Sequence, residues 1–93
     1  MVTAFVLIDA AVGAVPDLAE RIAAVEGVAE VYSTAGRYDL IVKVRVRENE
    51  DLATVVAGGI DALPGIQDSE TLIAFRAHSP EALDAVFSIG EDA

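Results

Sequence analysis

The sequence predicts an α+β domain of the ferredoxin-like βαββαβ type, with a four-stranded antiparallel sheet and two helices on one face. Strand-like and helix-like segments alternate along the 93 residues. The two halves also resemble one another, because residues 24–30 align with residues 62–68 at the same helix-to-strand junction. With right-handed crossovers, a doubled β-α-β unit gives this arrangement most simply.

The first half of the chain has the pattern strand, helix, strand. Residues 2–8 form a short, nearly all-apolar run, which is typical of a central strand covered on both faces. Pro16 is tolerated in a first helical turn, apolar residues repeat at helical spacing from Leu18, and Gly27 ends the helix. Residues 28–34 are again β-like and predict the second strand.

The second half repeats the pattern after a hairpin around residues 35–37. The third strand begins at Leu40 and alternates strictly between two faces. Its inward set is predicted to be Leu40, Val42, Val44 and Val46, and its outward set Ile41, Lys43, Arg45 and Arg47. Asn49 is the predicted N-cap of a second amphipathic helix, which contains Gly58 and Gly59, packed closely on the sheet, and ends at Pro64. A fourth strand is predicted over residues 67–76.

A short third helix is predicted at the end of the chain. Ser79 is a suitable N-cap, Pro80 a suitable first helical residue, and a small apolar stripe follows. Residues 1–78 are thus expected to form the main domain, and residues 79–93 a helix and tail. This helix is predicted to cover a subunit edge, or alternatively to dock on a neighbouring dimer.

The acidic composition restricts the partners of this chain. Six Lys and Arg residues are outnumbered by 16 Asp and Glu residues, which gives a formal net charge of −10. This surplus repels phosphate backbones and anionic lipids, so neither direct nucleic-acid binding nor membrane binding is expected. The chain has no Cys and no apolar run near the roughly 20 residues of a membrane-spanning helix. The cytosol is therefore the expected compartment.

The size of the chain and its sheet predict self-association. A monomer of this length buries only about 60 to 65% of the surface that its unfolded chain exposes. Two helices on one face leave the other face open, and the residues of that face include Ile41, Lys43 and Arg45. We therefore expect a second subunit to pack sheet against sheet, as a dimeric α+β barrel.

Polar side chains that suit a zwitterionic ligand concentrate in the hairpin. Residues 33–39 combine a hydroxyl, a flexible glycine, a guanidinium, a phenol and a carboxylate. A zwitterion needs an acceptor for its ammonium group and donors for its carboxylate. Asp39 can supply the acceptor, and Arg37 or the backbone amides near Gly36 can supply the donors. Elsewhere, the single His78 lacks the second ligand of a metal site, so neither a metal nor a catalytic role is predicted.

The sequence resembles the Lrp/AsnC effector-binding domain, also called the RAM domain, over roughly residues 2–76. The likeness rests on the hairpin Gly36-Arg37-Tyr38-Asp39, on Pro64-Gly65-Ile66 and on Thr71 in the last strand. The resemblance implies the ferredoxin-like fold, dimers formed through the sheets, and rings of dimers, commonly octamers. It also implies an amino acid effector bound between dimers by Gly36, Arg37, Tyr38, Asp39 and Thr71, without a cofactor.

One departure from the family pattern shapes the expected function. The sequence begins at the first sheet strand, so we expect a stand-alone version without the helix-turn-helix domain that usually precedes this domain. Such a version would act on transcription, if at all, through a full-length family regulator. Two alternatives share the fold type. One is a small cofactor-independent monooxygenase or isomerase using His78, Tyr32 and Tyr38 in an enclosed pocket, and the other is an ACT-like regulatory module.

Overall fold

A computed structural model describes residues 1–80 as one four-stranded sheet with two helical segments. The elements, in chain order, are β1 (Val2–Ala10), α1 (Val15–Ala23), β2 (Val28–Ser33), β3 (Leu40–Val46), α2 (Asn49–Ala53), a π-helical continuation of α2 (Thr54–Ile60), and β4 (Ile66–Ile73). From residue 81 onward, the predicted C-terminal helix lies outside the described residues. Among the described helices, none is long and apolar enough to cross a membrane.

The strand order is β2-β3-β1-β4, and every neighbouring pair is antiparallel. This order is the one that right-handed β-α-β crossovers produce, and it confirms the predicted ferredoxin-like fold. β1 is central as predicted, since Val6 pairs with Val42 on one side and with Thr71 on the other. β2 and β4 form the two edges of the sheet.

The core lies between the sheet and the helices. Alternate residues of β1 and β3 face it, and Leu18 and Ile22 of α1 lie four residues apart so that both reach it. Each fully buried aliphatic side chain contributes about 1.5–3 kcal/mol relative to an exposed one. The predicted inward face of β3 is confirmed. The buried residues are Ala4, Val6, Ile8, Leu18, Ile22, Leu40, Val42, Val44, Val46, Leu52, Val55 and Ile60.

The opposite side of the sheet carries no helix within the described residues and is called here the open sheet face. Residues that pair across strands share a face, which places these side chains together. The open sheet face comprises Thr3, Phe5, Leu7 and Asp9 of β1, Glu30 and Tyr32 of β2, Ile41, Lys43 and Arg45 of β3, and Asp68, Glu70 and Leu72 of β4.

The second helix differs from its prediction at its start and in its geometry. Asn49 is the first helical residue rather than the N-cap. Glu48 takes the N-cap position, and its N–H donates to Asp51 Oδ2 at 3.2 Å. After residue 53 the helix widens into a π-helix, and the Asp61 N–H donates to the Val56 carbonyl, five residues earlier, at 2.7 Å.

The two glycines of this helix explain part of that change. A Cβ on Gly59 would lie 2.8 Å from Val25 Cγ1, whereas a Cβ on Gly58 would have no neighbour within 4 Å. The predicted close packing on the sheet is therefore wrong. Gly59 instead packs against the segment that follows α1, and Gly58 borders open space. Glycine lacks the side chain that favours regular α-helical turns, so the backbone can widen here.

The bounds of three strands also differ from their predictions, and β2 ends at Ser33 instead of residue 34. β1 continues to Ala10, with an irregular register at Asp9. β4 covers Ile66–Ile73 instead of residues 67–76. Its partner β1 begins at Val2, and the last bond of the pair runs from the Ala74 N–H to the Thr3 carbonyl at 2.9 Å. Beyond this bond the chain leaves the sheet, although Val2 of β1 lies one residue further along.

Candidate functional site

The β2–β3 hairpin has the turn that its glycine predicts. Gly36 has φ of +140°, which favours glycine over residues with a side chain. Two hydrogen bonds close the loop: the Thr34 N–H donates to the Asp39 carbonyl at 3.0 Å, and Thr34 Oγ1 donates to the Tyr38 carbonyl at 2.6 Å. The side chains of Arg37, Tyr38 and Asp39 therefore project from a braced loop.

Asp39 fastens this loop to the end of the central strand. Its Oδ2 accepts a hydrogen bond from the Ala10 N–H at 2.8 Å, and its own N–H donates to the Ile8 carbonyl at 2.9 Å. The half-buried carboxylate thus satisfies a backbone donor at the point where β1 ends. Within the described residues its second oxygen, Oδ1, makes no hydrogen bond, so it can accept one from a ligand.

Tyr38 joins the hairpin to the opposite edge of the sheet. Its hydroxyl donates to Glu70 Oε2 of β4 at 2.9 Å, and the guanidinium carbon of Arg37 lies 5.4 Å from the centre of its ring. The hydrogen bond to Glu70 holds the proton on the phenol and raises the pKa of Tyr38 above its ordinary 10.0. Partial desolvation adds to this rise, and the charge of Arg37 opposes it.

Thr71 lies apart from the hairpin residues within one chain. It pairs with the buried Val6 and so shares the helix-covered face of the sheet, at the exposed edge strand β4. Its neighbour Glu70 pairs with Leu7 on the open sheet face. The structure thus brings Gly36, Arg37, Tyr38 and Asp39 together, and it adds Glu70, which sequence reasoning missed.

Glu70 was missed because its role depends on strand register. It is one residue from Thr71, and a shift of one residue exchanges the two faces of a strand. The apolar and polar residues of β4 do not alternate strictly, so they do not predict which face each residue occupies. The charge pattern nevertheless gives an indication. Asp68 and Glu70 of β4 are two residues apart, a spacing that places both carboxylates on one face of the strand.

Acidic groups dominate this end of the sheet. Asp9 and Asp68 are paired directly across β1 and β4, and the charge of Asp9 contributes to the raised pKa of Tyr38. Among the described residues, Arg37 supplies the positive charge at this end of the sheet. The arrangement offers carboxylate acceptors to an ammonium group and a guanidinium donor to a carboxylate. The described residues contain no group of three or more side chains suited to hold a metal ion.

The residues considered for an enzyme do not meet in a common pocket. Tyr32 donates a hydrogen bond to Glu30 on the open sheet face, which raises the pKa of its phenol. Tyr38 belongs to the hairpin, and His78 is exposed beyond the end of β4. A groove of about 730 Å³ lies at the other end of β3, and none of these three residues lines it.

The four-stranded antiparallel sheet and its two helical segments define an α+β domain of the ferredoxin-like class. The family model described as the Lrp/AsnC ligand binding domain matches residues 3–83. The chain therefore belongs to the Lrp/AsnC ligand-binding domain family, which confirms the resemblance seen in the sequence.

Known relatives support this membership. The HTH-type transcriptional regulator FL11 of Pyrococcus abyssi is 33% identical over 75 residues, which cover 81% of this chain and 49% of FL11. The chain thus spans about half the length of the curated relatives it matches. The crystal structure of TTHA0845 from Thermus thermophilus is 49% identical, with a TM-score of 0.81, over 85% of this chain and 99% of that one.

A more distant structure shares the fold alone. The transcriptional regulator NMB0573 of Neisseria meningitidis, solved as a complex with L-Met, is 16% identical with a TM-score of 0.74. The match covers 85% of this chain and 54% of that one. The family model and FL11, by contrast, identify the chain as a ligand-binding regulatory domain related to transcription regulators.

Proposed function

We propose that this chain is a homo-oligomeric regulatory module that binds an amino acid at the β2–β3 hairpin, between subunits. The observation that carries the proposal is the placement of Arg37 and Asp39, which present opposite charges two residues apart on one braced loop. Within the described part of the chain, only one oxygen of Asp39 is engaged by the protein. An α-amino acid carries the complementary pair of charges.

Each group of the ligand has a partner on the hairpin. Arg37 donates to the α-carboxylate, since a guanidinium can bind a carboxylate through two hydrogen bonds. Asp39 Oδ1 accepts from the ammonium group, and the Gly36 backbone lets the ligand approach closely. Tyr38, fixed by Glu70, forms one wall. NMB0573, with the same fold, is known as a complex with L-Met, so this fold can accept an amino acid.

Thr71 completes the site from a neighbouring subunit. In its own chain it lies on the other face of the sheet from Glu70, at the edge strand β4. Its hydroxyl is exposed and therefore available to a ligand held by the hairpin of another chain. A site built from two subunits couples occupancy to assembly, because the ligand binds the assembled state preferentially.

The dimer forms through the open sheet face. Its centre is apolar, with Phe5, Leu7 and Ile41 half-buried and Leu72 48% exposed in a single chain. Packing two such faces removes this apolar area from water at about 25 cal/mol per Å². Dimers then associate into a ring, with an octamer favoured. Residues 1–78 form this ligand-binding and dimerisation domain, and residues 79–93 add a helix and tail.

The module regulates transcription without touching DNA through this domain. Its net charge of −10 repels the phosphate backbone. We propose that it works in the cytoplasm, with no cofactor and no catalytic activity, and that it can co-assemble with a full-length Lrp/AsnC regulator. FL11, an HTH-type transcriptional regulator of which this chain matches about half, illustrates the kind of partner proposed.

Thermal unfolding against a panel of the standard amino acids tests the proposal. A ligand at 100 times its Kd stabilises by about 2.7 kcal/mol, which shifts Tm by several degrees in a domain of this size. We expect a few amino acids to raise the Tm of the wild type and of Arg21→Gln, an exposed control, but not of Arg37→Gln. No shift with any amino acid would contradict the proposal.

A further inference from the structure

The hairpin end of the open sheet face is negatively charged. Asp9 of β1 pairs with Asp68 of β4, and Glu70 follows two residues later on the same face. These three carboxylates are called here the acidic end. In the part of the chain that the structure describes, none of them lies within 4.0 Å of a cationic side chain. The charges of Arg37 and Asp39 on the nearby hairpin offset each other, so the acidic end keeps its negative charge.

The far end of the sheet is positively charged. Arg45 pairs with Thr3 on the open sheet face, Arg47 follows the last residue of β3, and Arg76 lies three residues beyond the end of β4. The three arginines are called here the arginine end. All are exposed, and none has a carboxylate within 4.0 Å among residues 1–80. Half of the six basic residues of this acidic chain thus lie at one end of the sheet.

The two ends cannot neutralise each other within one chain. Arg45 pairs with Thr3 near the start of β1, whereas Asp9 lies near the end of that strand, about 20 Å away. The half-buried apolar residues Phe5 and Leu7 lie between them on the same face. The open sheet face therefore has an acidic end, an apolar centre and an arginine end.

Other charges near the face leave this polarity unchanged. Lys43 lies 3.7 Å from Glu30, so this central pair has no net charge. Glu26 and Glu48 are close to the arginine end in sequence, but they belong to the helix side of the sheet. Glu26 lies in the turn after α1, and Glu48 is the N-cap of α2, whose Leu52 is part of the core. Neither carboxylate is part of the open sheet face.

Two-fold symmetry allows two arrangements of two such faces. In a dimer of packed sheets, the same surface of each subunit contacts its copy, and the axis lies between the sheets. An axis along the strands places like ends over each other, so that the two acidic ends meet. An axis across the strands reverses one sheet and places each acidic end over the partner's arginine end. Both arrangements cover the apolar centre, so the charges select between them.

We propose that two copies of this chain pack about an axis across the strands, with the acidic end of each subunit against the arginine end of its partner. The inference rests on the dimer proposed above and adds its orientation. Because the axis repeats every contact, each favourable pairing occurs twice. The opposite arrangement is suppressed, since like charges that meet in an interface are strongly unfavourable. A polyanion does not fit this face, because the acidic end repels it.

Charge reversal, measured by sedimentation velocity over a dilution series, tests the orientation. Arg45→Glu and Asp68→Arg should each weaken the dimer about tenfold or more, because each variant sets like charges against each other twice. The double variant exchanges the two charges and should regain wild-type affinity within about threefold. The matched controls are Arg21→Glu and Asp17→Arg on the exposed surface of α1, which should keep wild-type affinity. Circular dichroism checks the fold of every variant.

Three results would overturn the orientation. The first is wild-type affinity in both single variants, and the second is a double variant that binds no more tightly than the single ones. The third is an equal loss of affinity in the α1 controls, which would indicate general charge repulsion. A wild type with the native mass of one chain would contradict the dimer itself, and this orientation with it. The amino acid panel is measured separately, so the orientation can fail while the ligand site survives.

Discussion

The N–H of Ala10 donates a hydrogen bond to Asp39 Oδ2 at 2.8 Å, across 29 residues of sequence. This bond fastens the hairpin to the end of the central strand and leaves the second carboxylate oxygen for a ligand. Asp39 therefore has two separable roles. One needs only a hydrogen-bond acceptor, and the other needs a negative charge.

Two substitutions at Asp39 separate these roles. Asp39→Ala removes the acceptor of a part-buried amide, and leaving such a donor unsatisfied costs about 1–3 kcal/mol. Asp39→Asn keeps an acceptor oxygen, so its free energy of unfolding should fall by less than half as much. Urea unfolding measures this difference. Both variants should lose amino acid binding, because neither offers a charge to the ammonium group. Equal destabilisation by the two would show that the charge itself supports the fold.

The two tyrosines should ionise at unusually high pH. The hydrogen bonds to Glu30 and Glu70 raise the pKa of Tyr32 and Tyr38, respectively, above 10.0. Tyrosinate absorbance follows both groups, since the chain has only two tyrosines and no tryptophan. Glu70→Gln should lower the pKa of Tyr38 towards 10. The measurement is made in a Tyr32→Phe chain, where Tyr38 is the remaining tyrosine and gives the whole absorbance change. An unchanged titration would contradict the Tyr38–Glu70 hydrogen bond.

The raised pKa values of the two tyrosines also determine how the free energy of unfolding changes at high pH. A phenol whose pKa is higher in the folded chain binds its proton more tightly there than in the unfolded chain. Its stabilising contribution is complete below pH 10 and declines as the pH rises through the folded-state pKa. The free energy of unfolding should therefore fall more steeply above pH 10 in the wild type than in the Tyr32→Phe, Tyr38→Phe double variant.

Gly27 should resist substitution more than another glycine with positive φ. Gly27 and Gly13 have φ of +99° and +81°, so alanine is strained by about 1–2 kcal/mol at either site. A Cβ at residue 27 also overlaps Val55 Cγ2 at 2.6 Å, whereas a Cβ at residue 13 has no neighbour within 4 Å. Gly27→Ala should thus lose about 1–3 kcal/mol more than Gly13→Ala. Equal losses in denaturant unfolding would contradict the packing described here.

A charge in the middle of the open sheet face should prevent dimer formation. Leu7 lies between Ile41 and Glu70 in the register, near the apolar centre of that face. Leu7→Lys would place an ammonium group in the interface, where a charge is costly to bury even beside the Glu70 carboxylate. We expect a native mass of one chain by light scattering, with unchanged circular dichroism. The matched control is Ala23→Lys on the exposed surface of α1, which should keep the native mass of the wild type. If Leu7→Lys also kept that mass, the interface would lie elsewhere.

Much of the fold follows from local patterns in the sequence. The strict alternation of β3 predicts its buried face, because the side chains of a strand point alternately to its two sides. Pro16 lies in the first turn of α1 as predicted. The helix ends at Ala23 with Ala24 as its C-cap, so the prediction that Gly27 ends it is wrong, and Gly27 with its positive φ belongs to the turn before β2. These signals need no knowledge of the rest of the chain. The hairpin residues were proposed for the site in the same way, since they are consecutive.

Features that depend on register or on packing between elements could not be predicted. Glu70 reaches Tyr38 across 32 residues, and only the pairing of β1 with β4 places it there. The π-helix was missed because its contacts involve Val25, which lies on another element. Thr71 was linked to the hairpin by the family resemblance, and its place on the other face becomes visible only in the assembled sheet.

Calorimetric titration of amino acids into the wild type and into Arg37→Gln tests the central claim most directly. The protein is first unfolded and refolded to remove any carried-over ligand. We predict saturable binding of at least one amino acid to the wild type and to the control Arg21→Gln, and affinity at least tenfold weaker in Arg37→Gln. No heat of binding with any standard amino acid, or equal affinity in wild type and Arg37→Gln, would contradict an amino acid site at this hairpin.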